Sequence, residues 1–250
     1  LPYKSLWHSL GTGATVTNYG SNLEEYSIAS YMGRINYGFD DKYLLTVTGR
    51  YDGASQLAEG NKWAFFPSAA IGWRLSEESF IQDLGAFNNL KLRVSYGEVG
   101  NNASINPYAT QANIFQTFYD FDGTPSLGYT INALSNQGIV WERSKEINVG
   151  LDFSLSDLPI SGTVEYYKRN TEDLILDDKV PNSTGFNNVL GNVGEIENSG
   201  IEISLNSVNV STGDFRWTSN LTFTANDDKV VKLAGGLTED IGNGRFVGES

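Results

Sequence analysis

Cysteine is missing from this 250-residue chain, so neither disulfides nor thiolate metal sites can organise it. Histidine occurs once, at His8, which removes His-based catalytic triads and His-rich metal centres. Positive charge is scarce. The 17 Lys+Arg stand against 30 Asp+Glu, a formal net charge of -13. A phosphate backbone needs clustered cations, so nucleic acid is not a partner. No apolar run approaches the roughly 18 residues of a transmembrane helix. The chain opens at Leu1-Pro2-Tyr3 without Met or a signal peptide, as the interior of a longer protein would. Spanning by strands remains open, because a transmembrane strand needs only about 9–11 residues with every second one apolar.

The abundant residues favour strands and turns: 13 Tyr, 13 Phe, 5 Trp and 27 Gly, with many Asn, Ser and Thr. Period-2 alternation starts at Ile28. Ala29, Tyr31, Gly33, Ile35, Tyr37 and Phe39 share one face, and Ser30, Met32, Arg34, Asn36 and Gly38 the other. After Asp40-Asp41, a second strand sets Tyr43, Leu45, Val47, Gly49 and Tyr51 against Leu44, Thr46, Thr48 and Arg50. Further apolar faces run Phe65 to Leu75, Leu90 to Tyr96, Ile147 to Leu155 and Ile160 to Tyr166. Ile201, Ile203 and Leu205 give a seventh, shorter than a full span, and Phe215 to Ala225 an eighth, broken by Ser219. About eight strands are expected.

Short and long connections alternate. Asp40 to Lys42, Ser76 to Asn89, Ser156 to Pro159 and Ser207 to Asp214 are the shorter class. Asp52 to Lys62, Gly97 to Gly138, Thr171 to Asn198 and the stretch after Asn226 are the longer. An up-and-down sheet with its long loops at one end gives this order, and outer-membrane barrels have that asymmetry. Tyr37, Phe39 and Tyr43 bracket the first tight turn, where an interfacial girdle sits. A soluble β-sandwich, acting as a carbohydrate-binding or adhesin module, fits the same alternation.

Candidate chemistry is sparse, and no catalytic or metal residues are assigned. Gly11-Thr12-Gly13 lacks the strand, helix and third glycine of a dinucleotide loop. Asp120-Phe121-Asp122-Gly123 begins like a calcium loop but has no downstream Glu at the required spacing, so it reads as an acidic turn. Asp52-Gly53 reads as a turn too. The glycosylation-like triplets at Asn102, Asn182, Asn209 and Asn220 carry no weight in a chain so rich in Asn, Ser and Thr. The loop aromatics Tyr108, Phe115, Phe118, Tyr119 and Phe121 can stack on sugars or pack the loop on its neighbours. A nucleophile–base set is missing, and no cofactor is implied.

One constellation stands out. Arg34, Arg50, Arg74 and Arg93 lie on the polar faces of the first four strands, while later polar faces carry Glu146, Asp152, Glu165 and Glu202. Charge is costly on the lipid side of a barrel, so these residues are expected to face the lumen. There they are candidates for contact with a plug domain or substrate. Asp152 and Glu165 are expected to lie too many strands away to neutralise the arginines.

Several motifs together resemble the barrel of SusC/RagA-type transporters. They are Ser30-Tyr31-Met32-Gly33-Arg34-Ile35-Asn36-Tyr37, Asp41-Lys42-Tyr43-Leu44-Leu45-Thr46 and Arg50-Tyr51-Asp52-Gly53-Ala54-Ser55. Phe66-Pro67-Ser68, Gly72-Trp73-Arg74 and Ser76-Glu77-Glu78-Ser79-Phe80 follow, then Leu90-Lys91-Leu92-Arg93, Ser95-Tyr96-Gly97 and Gly100-Asn101. Trp141-Glu142, Asn148-Val149-Gly150-Leu151, Asn198-Ser199-Gly200-Ile201-Glu202 and Asn226-Asp227-Asp228-Lys229-Val230 complete the series. Ala54 departs from the serine common there. The resemblance runs from about Tyr26 to about Leu233.

It implies a TonB-dependent outer-membrane importer of Bacteroidetes-type bacteria, with a plugged barrel of about 22 strands. Its partners would be TonB, reached through parts not present here, a SusD-like surface lipoprotein, outer-membrane lipid, and a nutrient such as an oligosaccharide or peptide. The expected fold is all-β: an antiparallel up-and-down transmembrane barrel of which this chain is an incomplete fragment. Residues 1–26 would be an extracellular loop or strand remnant, 27–226 barrel strands and loops, and 227–250 the start of an extracellular loop. No plug domain is expected within the chain. A passive porin and an outer-membrane enzyme fit the motifs less well.

Overall fold

A computed structural model describes residues 23–249, apart from 113 and 132. The strands of eight or more residues are β1 (Ile28–Phe39), β2 (Tyr43–Ala54), β3 (Trp63–Arg74), β4 (Phe87–Asn101), β5 (Ile114–Phe121), β6 (Thr124–Ile131), β7 (Glu142–Leu155), β8 (Ile160–Lys179), β9 (Asn188–Thr212) and β10 (Phe215–Lys232). Eight of them form one antiparallel sheet in the order β1-β2-β3-β4-β7-β8-β9-β10, and β5 and β6 form a separate hairpin. The expected meander of eight strands is therefore present. Among the described residues its outer strands, β1 and β10, do not pair with each other.

Register explains why one face is apolar throughout. Because side chains alternate strictly, a single slip would send each strand's apolar set to the other face. The pairing instead aligns Tyr37, Leu45, Ile71, Val94, Val149, Tyr166, Ile201 and Ala225 in one cross-strand row. A neighbouring row runs Phe39, Tyr43, Trp73, Leu92, Leu151, Val164, Ile203 and Phe223. Nothing among the described residues covers this face. On β2, Val47 and Tyr51 are each 44% exposed, whereas the polar Thr48 and Asp52 on the opposite face are 8% and 5% exposed. That is the reverse of a water-soluble sandwich, whose apolar side chains meet across two packed sheets. The sandwich reading fails here.

Stacked rings border the apolar face at both ends. Phe39, Tyr43 and Trp73 stack at 6.4 and 6.2 Å near the short turns, and Tyr31, Trp63 and Tyr51 at 5.9 and 5.0 Å near the long loops. The two tiers are marked on β2 by Tyr43 and by Gly53, the partner of Trp63, about ten residues apart. At roughly 3.3 Å per residue and about 40° of tilt, they stand about 25 Å apart, the height of a barrel's apolar band.

The connections differ from expectation at the long-loop end. Thr171 to Asn198 was expected as loop, yet the β8–β9 ladder continues through register shifts near Leu174 to Lys179↔Asn188, leaving only 180–187 outside strands. The seventh strand, expected to be short, is the 25-residue β9. Its lower turn is also tighter than Ser207–Asp214: the ladder reaches Thr212↔Phe215, with Gly213 at φ 43° in the turn. The eighth alternation fades at Ala225, but β10 runs on to Lys232. The cause is the same in each case. Alternation is enforced only where one face meets hydrocarbon, while backbone pairing continues beyond it. The expected Asp52-Gly53 turn lies inside β2. Gly53 serves there as a flat seat for Trp63, whose ring atoms would lie 2.6 Å from a Cβ.

The short end agrees more closely. Asp40 and Asp41 both adopt left-handed backbone (φ 54° and 51°), and Lys42 N–H donates to Phe39 O at 3.1 Å. Such a turn matches the twist of a hairpin, and Asp tolerates it better than most residues. Between β3 and β4 the chain forms a one-turn helix, α1 (Ser79–Gln82).

Candidate functional site

The arginines of the first four strands all lie on the polar face, but their surroundings differ. Arg34 Nε donates to Thr48 Oγ1 at 3.0 Å and has no carboxylate partner among the described residues. Arg50 meets Asp52 at 2.7 Å, with half of its side chain still exposed. Arg74 donates to Asp41 O at 3.1 Å and lies 3.3 Å from Glu77, at the short-turn end.

Arg93 is held by two acids. Its guanidinium grips Asp152 through two bonds of 2.8 and 2.9 Å and reaches Glu165 at 2.6 Å. The expectation that these acids lie too far away is wrong. The β5–β6 hairpin leaves the sheet, so β4 pairs directly with β7, and Arg93 faces Gly150, which in turn faces Glu165. A two-bond guanidinium–carboxylate pair fixes orientation as well as charge. Further along, Arg169 grips Glu146 at 2.6 and 2.8 Å. These two, with Asn148, Tyr167, Asn198 and Glu202, line a polar recess of about 350 Å³.

At the long-loop end the loops close over this polar face with a small core of their own. Ala54, Leu57, Ala64, Phe66, Ile105, Ile139, Trp141 and Ile175 are buried together. Trp141 meets Phe66 edge-on at 5.7 Å and donates Nε1–H to Lys62 O at 3.0 Å. Polar clasps tie the segments. Buried Glu142 accepts from Asn101 Nδ2, from Ser104 Oγ at 3.1 Å and from the Ile175 N–H at 3.0 Å. Gln56 Nε2 donates to Ile105 O at 2.7 Å, and Asn192 bridges Val140 and Asp173. Sequence reasoning missed these clasps, because Gln56, Glu142 and Asn192 sit in stretches without periodicity. The Trp141-Glu142 pair was visible only as a motif.

Outside that core stands the β5–β6 hairpin, turned by Asp122 and Gly123 (φ 55° and 76°). The calcium-like spacing is thus accounted for by a two-residue hairpin turn. Phe118, Leu127 and Tyr129 lie 53–70% exposed on one of its faces, with Phe115 and Tyr119 on the other, so these rings do not pack the loop. Tyr108 is 40% exposed, with φ 69°. His8 and Gly11 to Gly13 lie outside the described residues.

An exposed apolar band, ring tiers about one hydrocarbon thickness apart and a charged opposite face define a membrane barrel wall. The family model described as "TonB dependent receptor-like, beta-barrel" matches residues 3–248. The chain belongs to that family. It is 41% identical over 215 residues to TonB-dependent receptor P26 of Formosa agariphila, covering 86% of this chain and 22% of that protein. It is 35% identical over 220 residues to TonB-dependent receptor SusC of Bacteroides thetaiotaomicron, again covering 86% and 22%. It superposes on the RagAB peptide importer in its open-open state with a TM-score of 0.81 at 28% identity, covering 94% of this chain and 25% of that one.

The chain therefore spans about a quarter of the length of these relatives or less. It is a SusC/RagA-type segment of an outer-membrane β-barrel, and the family comprises receptors rather than enzymes. Its apolar band is the lipid face. Its long loops gather at one end of the sheet, the asymmetry that outer-membrane barrels share.

Proposed function

We propose that this chain forms an arc of the wall and extracellular mouth of a TonB-dependent importer of oligosaccharides, peptides or similar nutrients. The importer works with a SusD-like surface lipoprotein and draws on TonB through regions beyond this chain. The observation that carries the reading is the sheet itself, apolar toward lipid and lined with fixed ion pairs on its other face. Support comes from its alignment with SusC and with RagAB, the latter described as a peptide importer.

In this reading the polar face lines the lumen. Arg34 and Arg50, with donors left over, contact the plug domain or guide carboxylate-bearing groups past it, since a guanidinium stays charged and binds carboxylates in pairs. Arg74 supports the lower rim. Arg93 braces the wall, its charge already met by two acids.

Deleting the receptor in its host and growing cells on single nutrients tests the function: loss of growth on one oligosaccharide or peptide class is expected, and undiminished growth on all of them overturns the reading. Replacing Arg34 and Arg50 together by Gln tests the lumen role. Slower uptake, or new sensitivity to large antibiotics, with barrel insertion intact is expected. Normal uptake and resistance would make them a solvated face only.

A further inference from the structure

The turn between β3 and β4 bends toward the lipid face. Glu78 accepts hydrogen bonds from Trp73 Nε1 at 3.1 Å and Tyr43 Oη at 2.9 Å, and lies 3.4 Å from Lys42 Nζ. Both rings belong to the lower tier of the apolar band, so the carboxylate ties the turn to the band's edge. Immediately after it, α1 and the two residues that follow are amphipathic. Phe80, Ile81 and Leu84 recur at helical spacing, with Ser79, Gln82 and Asp83 on the other side. Among the described residues Phe80 is left 56% and Leu84 65% exposed. By contrast, the first and last short turns are polar, formed by Asp40-Asp41 and Gly213-Asp214. Lys42, paired with Glu78, stands at the same level.

We propose that this turn is a membrane-surface anchor, with Phe80 and Leu84 inserted among the phospholipid head groups of the inner leaflet of the outer membrane. The occupant follows from continuity. The segment is tied to rings already at the lipid boundary, and short amphipathic helices bury their apolar side in that layer. Lys42 then lies beside lipid phosphates, which favour cations at this depth. The inference rests on the membrane assignment of the chain and not on what the importer carries.

This chain has no cysteine, and any in the rest of the receptor would be replaced by Ser before labelling. In the full-length receptor, reconstituted in phosphatidylethanolamine–phosphatidylglycerol vesicles, Phe80→Cys, Leu84→Cys and Gln82→Cys would each carry a bimane fluorophore. With phospholipid brominated near the head group, emission from positions 80 and 84 should fall about two-fold, as for a probe roughly 5–10 Å below the surface. Position 82 should respond mainly to aqueous iodide. Quenching of all three by iodide alone overturns the anchor and places the turn in the periplasm or against the plug.

Should a labelled variant fail to insert, the unsubstituted receptor can be irradiated with a phospholipid bearing a head-group-proximal diazirine. Adducts within 79–84 support the anchor. Adducts within 43–51 without any in 79–84 overturn it.

Discussion

The guanidinium of Arg93 lies 2.6 Å from Glu165, although β7 runs between their two strands. The residue between them is Gly150, and its missing side chain is what lets the pair meet. A Cβ there would lie 2.9 Å from Arg93 Nη2 and 3.4 Å from Glu165 Cγ. The wall is thus cross-braced over three strands by an arginine, two acids and a gap.

Gly150→Ala should push the guanidinium off Glu165 and lower stability by about 1 kcal/mol, while Arg93→Gln, which leaves two acids facing each other, should cost about 1–2 kcal/mol after allowing for partial exposure. The temperature at which the receptor loses its compact migration on a detergent gel reads both. No change in either variant would mean that the bridge contributes nothing.

Ile71 and Val149 lie in the same cross-strand row of the lipid face, and Arg at either should oppose insertion by roughly 2–4 kcal/mol if the site is near the bilayer midplane. Folding yield into vesicles of defined lipid measures this. An Asn36→Arg change, at an exposed position of the opposite face, is the control. Equal losses from both faces would contradict the assignment of sides.

Glu142 should prove the tightest of the polar clasps. Glu142→Leu removes the acceptor for three donors inside a small core, costing about 2–4 kcal/mol locally. The segment 102–141 should then become sensitive to protease on intact cells while the barrel keeps its thermal stability. Unchanged proteolysis would show that the apolar core alone holds these loops.

The carboxyl of Glu78 is held below its usual value by the hydrogen bonds from Trp73 and Tyr43, aided by Lys42. A carboxylate whose folded-state pKa is depressed stabilises fully above the unfolded-state value, and that stabilisation is lost as pH falls through the folded-state value. Stability of the receptor should therefore decline below about pH 4.5, the ordinary glutamate value, and Glu78→Gln should flatten that decline. Urea unfolding at stepped pH provides the measurement. Identical pH profiles for parent and variant would remove Glu78 from the account.

What could be read in advance follows the reach of the hydrocarbon. Residues such as Tyr37, Leu45, Ile71 and Val149 declared their strands and their face, because lipid permits only one solution there. Past the ring tiers that constraint ends, so Asn188 to Asn198 looked like loop although it pairs along its length. The partners of Arg93 were hidden for a different reason. Strand adjacency across 102–141 depends on whether the intervening hairpin joins the sheet, and Phe115 or Tyr129 alternate like wall residues without belonging to the wall. Gly53 looked like a turn former because Asp-Gly usually is one, and only the crossing of Trp63 reveals its use.

Asn101 and Glu142 are direct partners across the β4–β7 ladder, so the chain between them leaves and rejoins that ladder at one point. Strand number and stagger are then independent of how long that excursion is. Loop-closure entropy changes by only about 0.6 kcal/mol for each doubling of length. Mutation and recombination can therefore lengthen, shorten or exchange the segment without rebuilding the wall beneath it, leaving loop and membrane architecture to diversify on separate schedules.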